Sequence, residues 1–170
     1  AEALKALYAL QEKDLEIDRL RAEAESLPEE LVALQGQVET LEERLTNLLE
    51  RRAELEREYN RHSLDIEDLS AKEKQAEEEQ KRAQSAREQT QYENRIQQIK
   101  DRIRELLELS TPIMEAMENL EAEIAQVEEE LAALRPRLQE LLEANRARVA
   151  ELEAAIAAKV RRVIDRDIPI

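Results

Sequence analysis

Residues 92–141 read YENRIQQIKDRIRELLELSTPIMEAMENLEAEIAQVEEELAALRPRLQEL, and apolar side chains recur in this stretch at alternating spacings of four and three. The series starts at Tyr92 and ends at Leu141, with Ser110 as its single polar member. An average spacing of 3.5 places these side chains in a narrow line along one side of an α-helix. A second helix can cover such a line, but a globular core cannot surround it. The stretch therefore predicts a long helix packed against another helix.

The composition also favours long helices over a globule. Aromatic residues make up 2% of the 170 residues and charged residues 39%, with one Gly and no Cys. A globular domain normally fills its core with aromatic residues and turns its chain with Gly. No apolar run approaches the roughly 18 residues of a membrane-spanning helix, and no signal-peptide pattern opens the chain. We therefore expect a cytoplasmic coiled coil without membrane contact.

The N-terminal half carries a matching pattern. The same 4-3 spacing runs from Leu31 to Leu69, after which the register passes through small and polar residues. Thr90 and Glu93 then form a capping-box pair, which signals the start of a helix. These features predict an outgoing arm, a tip and a returning arm over residues 27–83, 84–90 and 91–164.

A first helix over residues 1–26 precedes the outgoing arm. Ser26 and Glu29 have the spacing of a capping box for the next helix. Pro28 falls in that helix's first turn, where its missing N–H costs nothing. We expect a kink near Pro28, and we interpret residues 165–170 as an exit toward a possible further C-terminal domain.

The arms have nearly equal length, so folding the chain at its midpoint lets each cover the other. This folding sets His62 against Ile113 and puts the Pro28 break opposite residues 145–149. There the apolar spacing changes to 4-4-3, a stutter that locally unwinds a supercoil. The coincidence of the two irregularities favours one all-α domain over 1–170, a long antiparallel coiled-coil hairpin. It disfavours a dimer of two long helices, while a dimer of hairpins stays open.

Charge is distributed unevenly along this hairpin. Residues 1–80 carry 23 acidic and 11 basic side chains, and residues 105–134 carry nine acidic and no basic ones. In contrast, residues 81–104 hold seven basic against three acidic side chains, and residues 135–166 hold eight against five. The tip and the open end of the predicted hairpin are therefore basic, and its shaft is acidic.

We expect the basic tip to bind a partner. The predicted contact residues are Lys81, Arg82, Arg87, Tyr92, Arg95, Ile96, Ile99, Lys100, Arg102 and Arg104. Ile96 and Ile99 face small or polar residues such as Ala76 and Gln80, and this leaves two interpretations. Either the helices approach closely beneath a solvated basic surface, or part of an Ile stripe is open to a partner. Because Tyr92 is the sole aromatic residue of the tip, contact with phosphate or an acidic protein fits better than base readout.

No pattern of residues points to catalysis. His62 is the only His and lies on the predicted seam, and Gly36 is the only Gly, so no phosphate-binding loop exists. Pairs of Glu on helix surfaces are usually solvated or paired with Arg. We expect no enzymatic activity, no catalytic residue, and no metal or cofactor in this chain.

Two segments carry a resemblance to a known family. Residues 4–18 read LKALYALQEKDLEID and residues 26–31 read SLPEEL. Both resemble the opening of a bacterial family of coiled-coil hairpin proteins with a C-terminal C4-type zinc ribbon. Residues 87–99, at the tip, are similar to the family's tip but depart in their polar residues, and Ile168-Pro169 is similar to its exit from the hairpin.

This resemblance implies a regulatory protein associated with nucleic acid or transcription, with a protein partner such as a sigma factor. It implies zinc only in a ribbon beyond Ile170. Together with the charge pattern described above, the resemblance predicts an interaction module that is a monomer or weak homodimer and binds a partner through its tip. The alternatives are a purely structural spacer and an RNA-binding helical arm, since nucleic-acid phosphate is a second candidate ligand for the basic ends.

Overall fold

The structure is a computed structural model that describes residues 1–167. It contains α1 (Glu2–Glu25), α2 (Glu29–Gln80), α3 (Ala86–Arg162) and a π-helical turn (Val163–Asp167). No strand occurs within this range, and α2 and α3 pack against each other, which confirms the predicted all-α helical hairpin. Residues 168–170, which complete the predicted exit and include Ile168-Pro169, lie outside the described residues.

The predicted seam is the core. Every position of the 4-3 series from Leu31 to Gln80 on α2, and from Tyr92 to Leu141 on α3, is buried or half-buried. The largest fully buried side chains are Leu31, Leu106, Val127 and Leu131. Since both arms contribute to this line, burial of leucine, isoleucine and valine along it is the main stabilising interaction.

The chain divides into two compact units that each draw on both arms. The tip unit comprises residues 43–129, and the open-end unit comprises residues 1–42 with residues from 130 onward. In the tip unit, the polar seam residue Ser110 is buried and its Oγ donates a hydrogen bond to the carbonyl oxygen of Leu106 at 2.8 Å. This bond to the preceding turn satisfies the hydroxyl, which explains how a polar side chain fits in the apolar line.

The turn of the hairpin lies at residues 81–85, which corrects both the predicted tip at 84–90 and the arms at 27–83 and 91–164. The expected cap at Thr90 is wrong, because Thr90 lies inside α3 and its Oγ1 donates to the carbonyl of Ala86 at 3.0 Å. Instead, the Oγ of Ser85 accepts a hydrogen bond from the N–H of Glu88 at 3.1 Å. The residues from 86 to 89 are good helix formers, so the earlier cap adds a favourable turn of helix.

In the open-end unit, α1 ends where expected, but the predicted capping box is wrong. Ser26 closes α1, since its N–H bonds to the carbonyl of Ala22 at 3.1 Å and its Oγ donates to the carbonyl of Glu23 at 3.0 Å. It is therefore committed to the preceding helix and does not cap α2. Pro28 precedes the first residue of α2, and its carbonyl accepts the N–H of Val32 at 3.1 Å. The break near Pro28 is confirmed, with Ser26, Leu27 and Pro28 outside both helices.

A side chain from α3 spans this break. Arg148 donates from Nη1 to the carbonyl of Glu23 at 2.9 Å and from Nη2 to the carbonyl of Ser26 at 2.7 Å. Nη2 also donates to the Oδ1 of Asn145 at 2.9 Å, which holds the guanidinium in place. Carbonyls at the C-terminus of a helix lack partners within the helix, and a cation there also complements the helix dipole. The predicted meeting of the Pro28 break with residues 145–149 is thus confirmed.

Candidate functional site

The candidate site is the turn with the helix ends on either side of it. The turn is shaped by backbone hydrogen bonds, from the N–H of Lys81 to Glu77, of Arg82 to Glu79 and of Ala83 to Gln80. Gln80 also donates from Nε2 to the carbonyl of Gln89 at 3.4 Å, which joins the end of α2 to the start of α3. These bonds fix where the basic side chains of the turn emerge.

The apolar part of the predicted site is buried. Ile96 and Ile99 are 8% and 9% exposed, and Ala76 on the facing arm is 2% exposed. The small side chain at Ala76 lets the two helices approach closely, so the isoleucines fill the space between them. Close packing is therefore the correct interpretation, and Ile96 and Ile99 must be removed from the predicted contact surface. Tyr92, at the end of the same line, is half-buried.

Four basic residues of the site pair with acidic neighbours. Lys81 pairs with Glu78 at 3.5 Å and Arg104 with Asp101 at 3.6 Å, each on one helix. The remaining pairs are Arg102 with Glu105 at 3.0 Å on α3, and Lys100 with Glu73 at 3.8 Å between α3 and α2. Ion pairs on a protein surface contribute about 0–1 kcal/mol. A partner can therefore exchange with these carboxylates at small cost.

Three arginines of the site are exposed and have no partner among the described residues: Arg82, Arg87 and Arg95. Arg82 lies in the turn, and Arg87 lies in the first turn of α3. Arg95 follows Arg87 by eight positions, which places the two within about 80° of each other around the helix. Arginine is the side chain best suited to bidentate bonds with carboxylate or phosphate. These residues are the strongest candidates for contact with an external anion.

A shallow open depression lies beside Arg95. Its lining residues are Glu88, Gln91, Tyr92 and Arg95, which share one side of α3. The carboxylate of Glu88 already accepts a hydrogen bond from the N–H of Gln84 at 3.1 Å. The phenol of Tyr92 and the guanidinium of Arg95 are thus the groups that can meet an incoming side chain. The depression suits contact with a partner, because so open a surface does not exclude water from a reaction.

The described residues hold no grouping typical of a metal or membrane protein. Residues 1–167 contain no group of three or more His, Cys, Asp or Glu side chains placed to hold a metal ion. His62 lies on the seam as predicted and is half-buried, and its Nδ1 is buried without a hydrogen-bond partner. Over the same residues, no helix combines the length and apolar character needed to cross a bilayer.

The second basic stretch, residues 135–166, is partly used inside the open-end unit. Arg135 pairs with Glu42 at 3.5 Å, and Lys159 pairs with Glu16 at 2.7 Å. Arg137 Nη2 lies 2.8 Å from a carboxylate oxygen of Glu30, and hydrogen bonds to Glu30 and Glu140 raise the pKa of Arg137. Together with Arg148, these residues join the returning arm to α1 and α2. The sequence predicted a basic open end that could also contact phosphate, whereas these four side chains bond to groups of the same unit.

Comparisons with protein-family models, curated proteins and solved structures found no match for this chain. The resemblance to hairpin proteins with a zinc ribbon therefore stays a prediction that depends on the residues quoted above. The site is defined by its own geometry: the turn and the start of α3 carry three exposed arginines that have no partner among the described residues.

Proposed function

We propose that this chain is a non-enzymatic interaction module that binds an acidic protein partner through its tip. The observation that supports it is the set of three exposed arginines, Arg82, Arg87 and Arg95, which have no ion-pair partner within residues 1–167. The other basic residues of the site, Lys81, Lys100, Arg102 and Arg104, are each paired with a carboxylate. A guanidinium left free at a fixed position is ready to bond with a carboxylate of another protein.

An acidic protein fits this surface better than nucleic acid does. Residues 105–134 carry nine acidic and no basic side chains, and they repel a phosphate backbone that extends past the tip. A compact acidic patch on a protein can contact the tip without meeting that acidic stretch. Single-stranded nucleic acid would in addition need exposed aromatic rings for stacking, and Tyr92 is half-buried.

The biological setting of this module is suggested by the resemblance of residues 4–18 and 26–31. It supports a cytoplasmic regulatory protein of bacteria, with a transcription factor such as a sigma factor as the class of partner. In that family zinc belongs to a C-terminal ribbon, whereas the contact proposed here uses arginine side chains of the tip.

The proposal is tested with a fluorescent polyglutamate peptide as probe, followed by anisotropy at low salt. The variant Arg82→Glu/Arg87→Glu/Arg95→Glu should weaken binding at least about tenfold, which corresponds to about 1.4 kcal/mol. A matched control reverses three exposed arginines of α2 that also have no partner in the described part of the chain, namely Arg44, Arg57 and Arg61. The two variants have equal net charge, so only a local effect of the tip separates them.

Equal weakening by both variants would contradict the proposal, because it would show that binding depends on the net charge of the chain and not on the arginines of the tip. Duplex DNA binding more tightly than the peptide, with a steep loss of affinity as salt rises, would favour the nucleic-acid alternative.

A purely structural spacer is the second candidate function. Burial of Ile96 and Ile99 and the pairing of Lys100 with Glu73 favour it, since both make the tip a closed end of the hairpin. Absence of peptide binding by the unmodified chain, with no effect of reversing the tip arginines, is the result that this candidate requires.

A further inference from the structure

The first helix has two apolar faces. Its inner face carries Ile17, which is buried, with Leu10 and Leu20 half-buried toward the rest of the open-end unit. Its outer face carries Leu4, Tyr8 and Leu15, which are 58%, 62% and 63% exposed. The two faces lie about 180° apart around the helix. Packing within the described chain therefore explains the inner face and leaves the outer one uncovered.

The outer face repeats the spacing of the hairpin seam. Leu4, Tyr8, Gln11 and Leu15 follow one another at spacings of four, three and four. Leu4 and Leu15 project in directions only about 20° apart, so the face is a straight narrow line. Such a line has the shape that another helix covers, by the same reasoning that predicts the hairpin.

We propose that a second copy of this chain covers the outer face, with the two α1 helices antiparallel and Leu4 opposite Leu15 of the second copy. Lys5 and Glu12 flank the line on one side, seven residues apart, and both are exposed. Neither has an ion-pair partner among the described residues. In the antiparallel arrangement each Lys5 adjoins Glu12 of the second copy, so two-fold symmetry forms the ion pair twice.

The parallel arrangement is less favourable for the same line. It sets each residue against its own copy, so the next position of the series, Asp18, would meet Asp18 of the second copy. Like charges directly opposed across such an interface are destabilising. With Leu4 opposite Leu15, Asp18 falls beyond the paired segment and meets no carboxylate. Charge therefore selects the antiparallel pair.

The small size of the face predicts a weak dimer. The paired segment from Leu4 to Leu15 is about 18 Å long, and stable complexes bury about 1,200–2,000 Å² in total, more than two such short segments provide. Packing through Ile17 already orders α1, so association does not have to bear the cost of forming the helix. We therefore expect a monomer at about 1 μM and a substantial dimer fraction as the concentration nears 1 mM.

Sedimentation equilibrium of the whole chain tests this, with an expected rise from 19.7 kDa toward twice that mass. Lys5→Glu alone and Glu12→Lys alone should each weaken the dimer about tenfold, because each sets like charges together. An equimolar mixture of the two variants should restore association, since each then meets its opposite. Arg57→Glu, an exposed change on α2, is the control and should leave the dimer unchanged. Helix content by circular dichroism verifies that each variant is folded.

Disulfide trapping tests the orientation, because the chain has no Cys of its own. The double variant Leu4→Cys/Leu15→Cys should form a covalent dimer under mild oxidation, while Leu4→Cys alone should not. Cross-linking of the single variant would overturn the antiparallel arrangement. A monomer at every concentration would overturn the dimer and leave the face to a helix of another protein. A dimer whose association is unchanged by Lys5→Glu and by Leu15→Glu would also overturn the proposal, because association would then use a different surface.

Discussion

Replacing Arg148 with Ala should release the end of α1. The guanidinium donates to the carbonyls of Glu23 and Ser26 at 2.9 and 2.7 Å, and both acceptors border solvent. Because water can replace the lost donor, each bond contributes about 0.5–1 kcal/mol. A cation at the C-terminus of a helix contributes about 0.3–1 kcal/mol more. The total of about 2 kcal/mol predicts a roughly 30-fold increase in local opening of α1.

Amide hydrogen exchange resolves this local effect better than a global melting temperature does, since it reports opening helix by helix. Amides of α1 in Arg148→Ala should exchange about 30-fold faster than in the unmodified chain, while those around the turn of the hairpin keep their rates. Arg148→Lys should give an intermediate rate, because an ammonium retains the charge but loses the fork that reaches two carbonyls.

Arg146→Ala is the matched control, two positions away, exposed and without a partner among the described residues. It should leave exchange in α1 unchanged. If Arg148→Ala leaves α1 as protected as before, or if Arg146→Ala accelerates exchange equally, the guanidinium does not stabilise the break and the reasoning from its hydrogen bonds is refuted.

Three further predictions concern the interior of α2, the cap of α3 and the ion pair between α3 and α1. Gly36→Ala should raise the free energy of unfolding by about 0.5–1 kcal/mol, measured by urea titration, because an added Cβ meets nothing within 4 Å and Gly weakens a helix interior; a loss of stability would show that the position is crowded. Ser85→Ala should lower that free energy by about 1 kcal/mol through loss of the cap, while Thr90→Ala should change it little, and the reverse order would reinstate the later cap. A hydrogen bond from Lys159 holds the pKa of Glu16 below its usual 4.5, so its contribution to stability is present above pH 4.5 and is lost as pH falls through the lowered value. In urea titrations at a series of pH values, Lys159→Gln should therefore reduce the loss of unfolding free energy that accompanies acidification. An unchanged pH dependence would show that the Glu16–Lys159 pair does not stabilise the fold.

The course of the two arms could be predicted from the sequence because the seam is a repeated signal. From Leu31 to Leu69 and from Tyr92 to Leu141, almost every turn of helix adds an apolar residue on the same side, so single exceptions such as Ser110 do not disturb the pattern. The meeting of Pro28 with residues 145–149 followed from the equal lengths of the arms. Both conclusions depend on many residues at once.

The turn and the site could be predicted only in part because they depend on single residues. Ser85-x-x-Glu88 and Thr90-x-x-Glu93 both match a capping box, and spacing does not choose between them. Burial of Ile96 depends on how closely the two helices approach each other. This distance belongs to the tertiary structure and is not encoded in the local spacing of residues. Arg148 is one of eight basic residues in its stretch, and a contact made by one long flexible side chain leaves no periodic trace in sequence.

The short turn at residues 81–85 has a consequence for how the chain acquires its fold. Contacts near it join residues close in sequence, such as Glu73 with Lys100, whereas Glu16 and Lys159 are joined across almost the entire chain. The entropy lost on closing a loop grows with its length, so the first pairing is least costly beside the turn. Each pairing then brings the next residues of the arms together and leaves a small further loop to close. We expect the chain to fold as a zipper that starts at the turn, with α1 docking last.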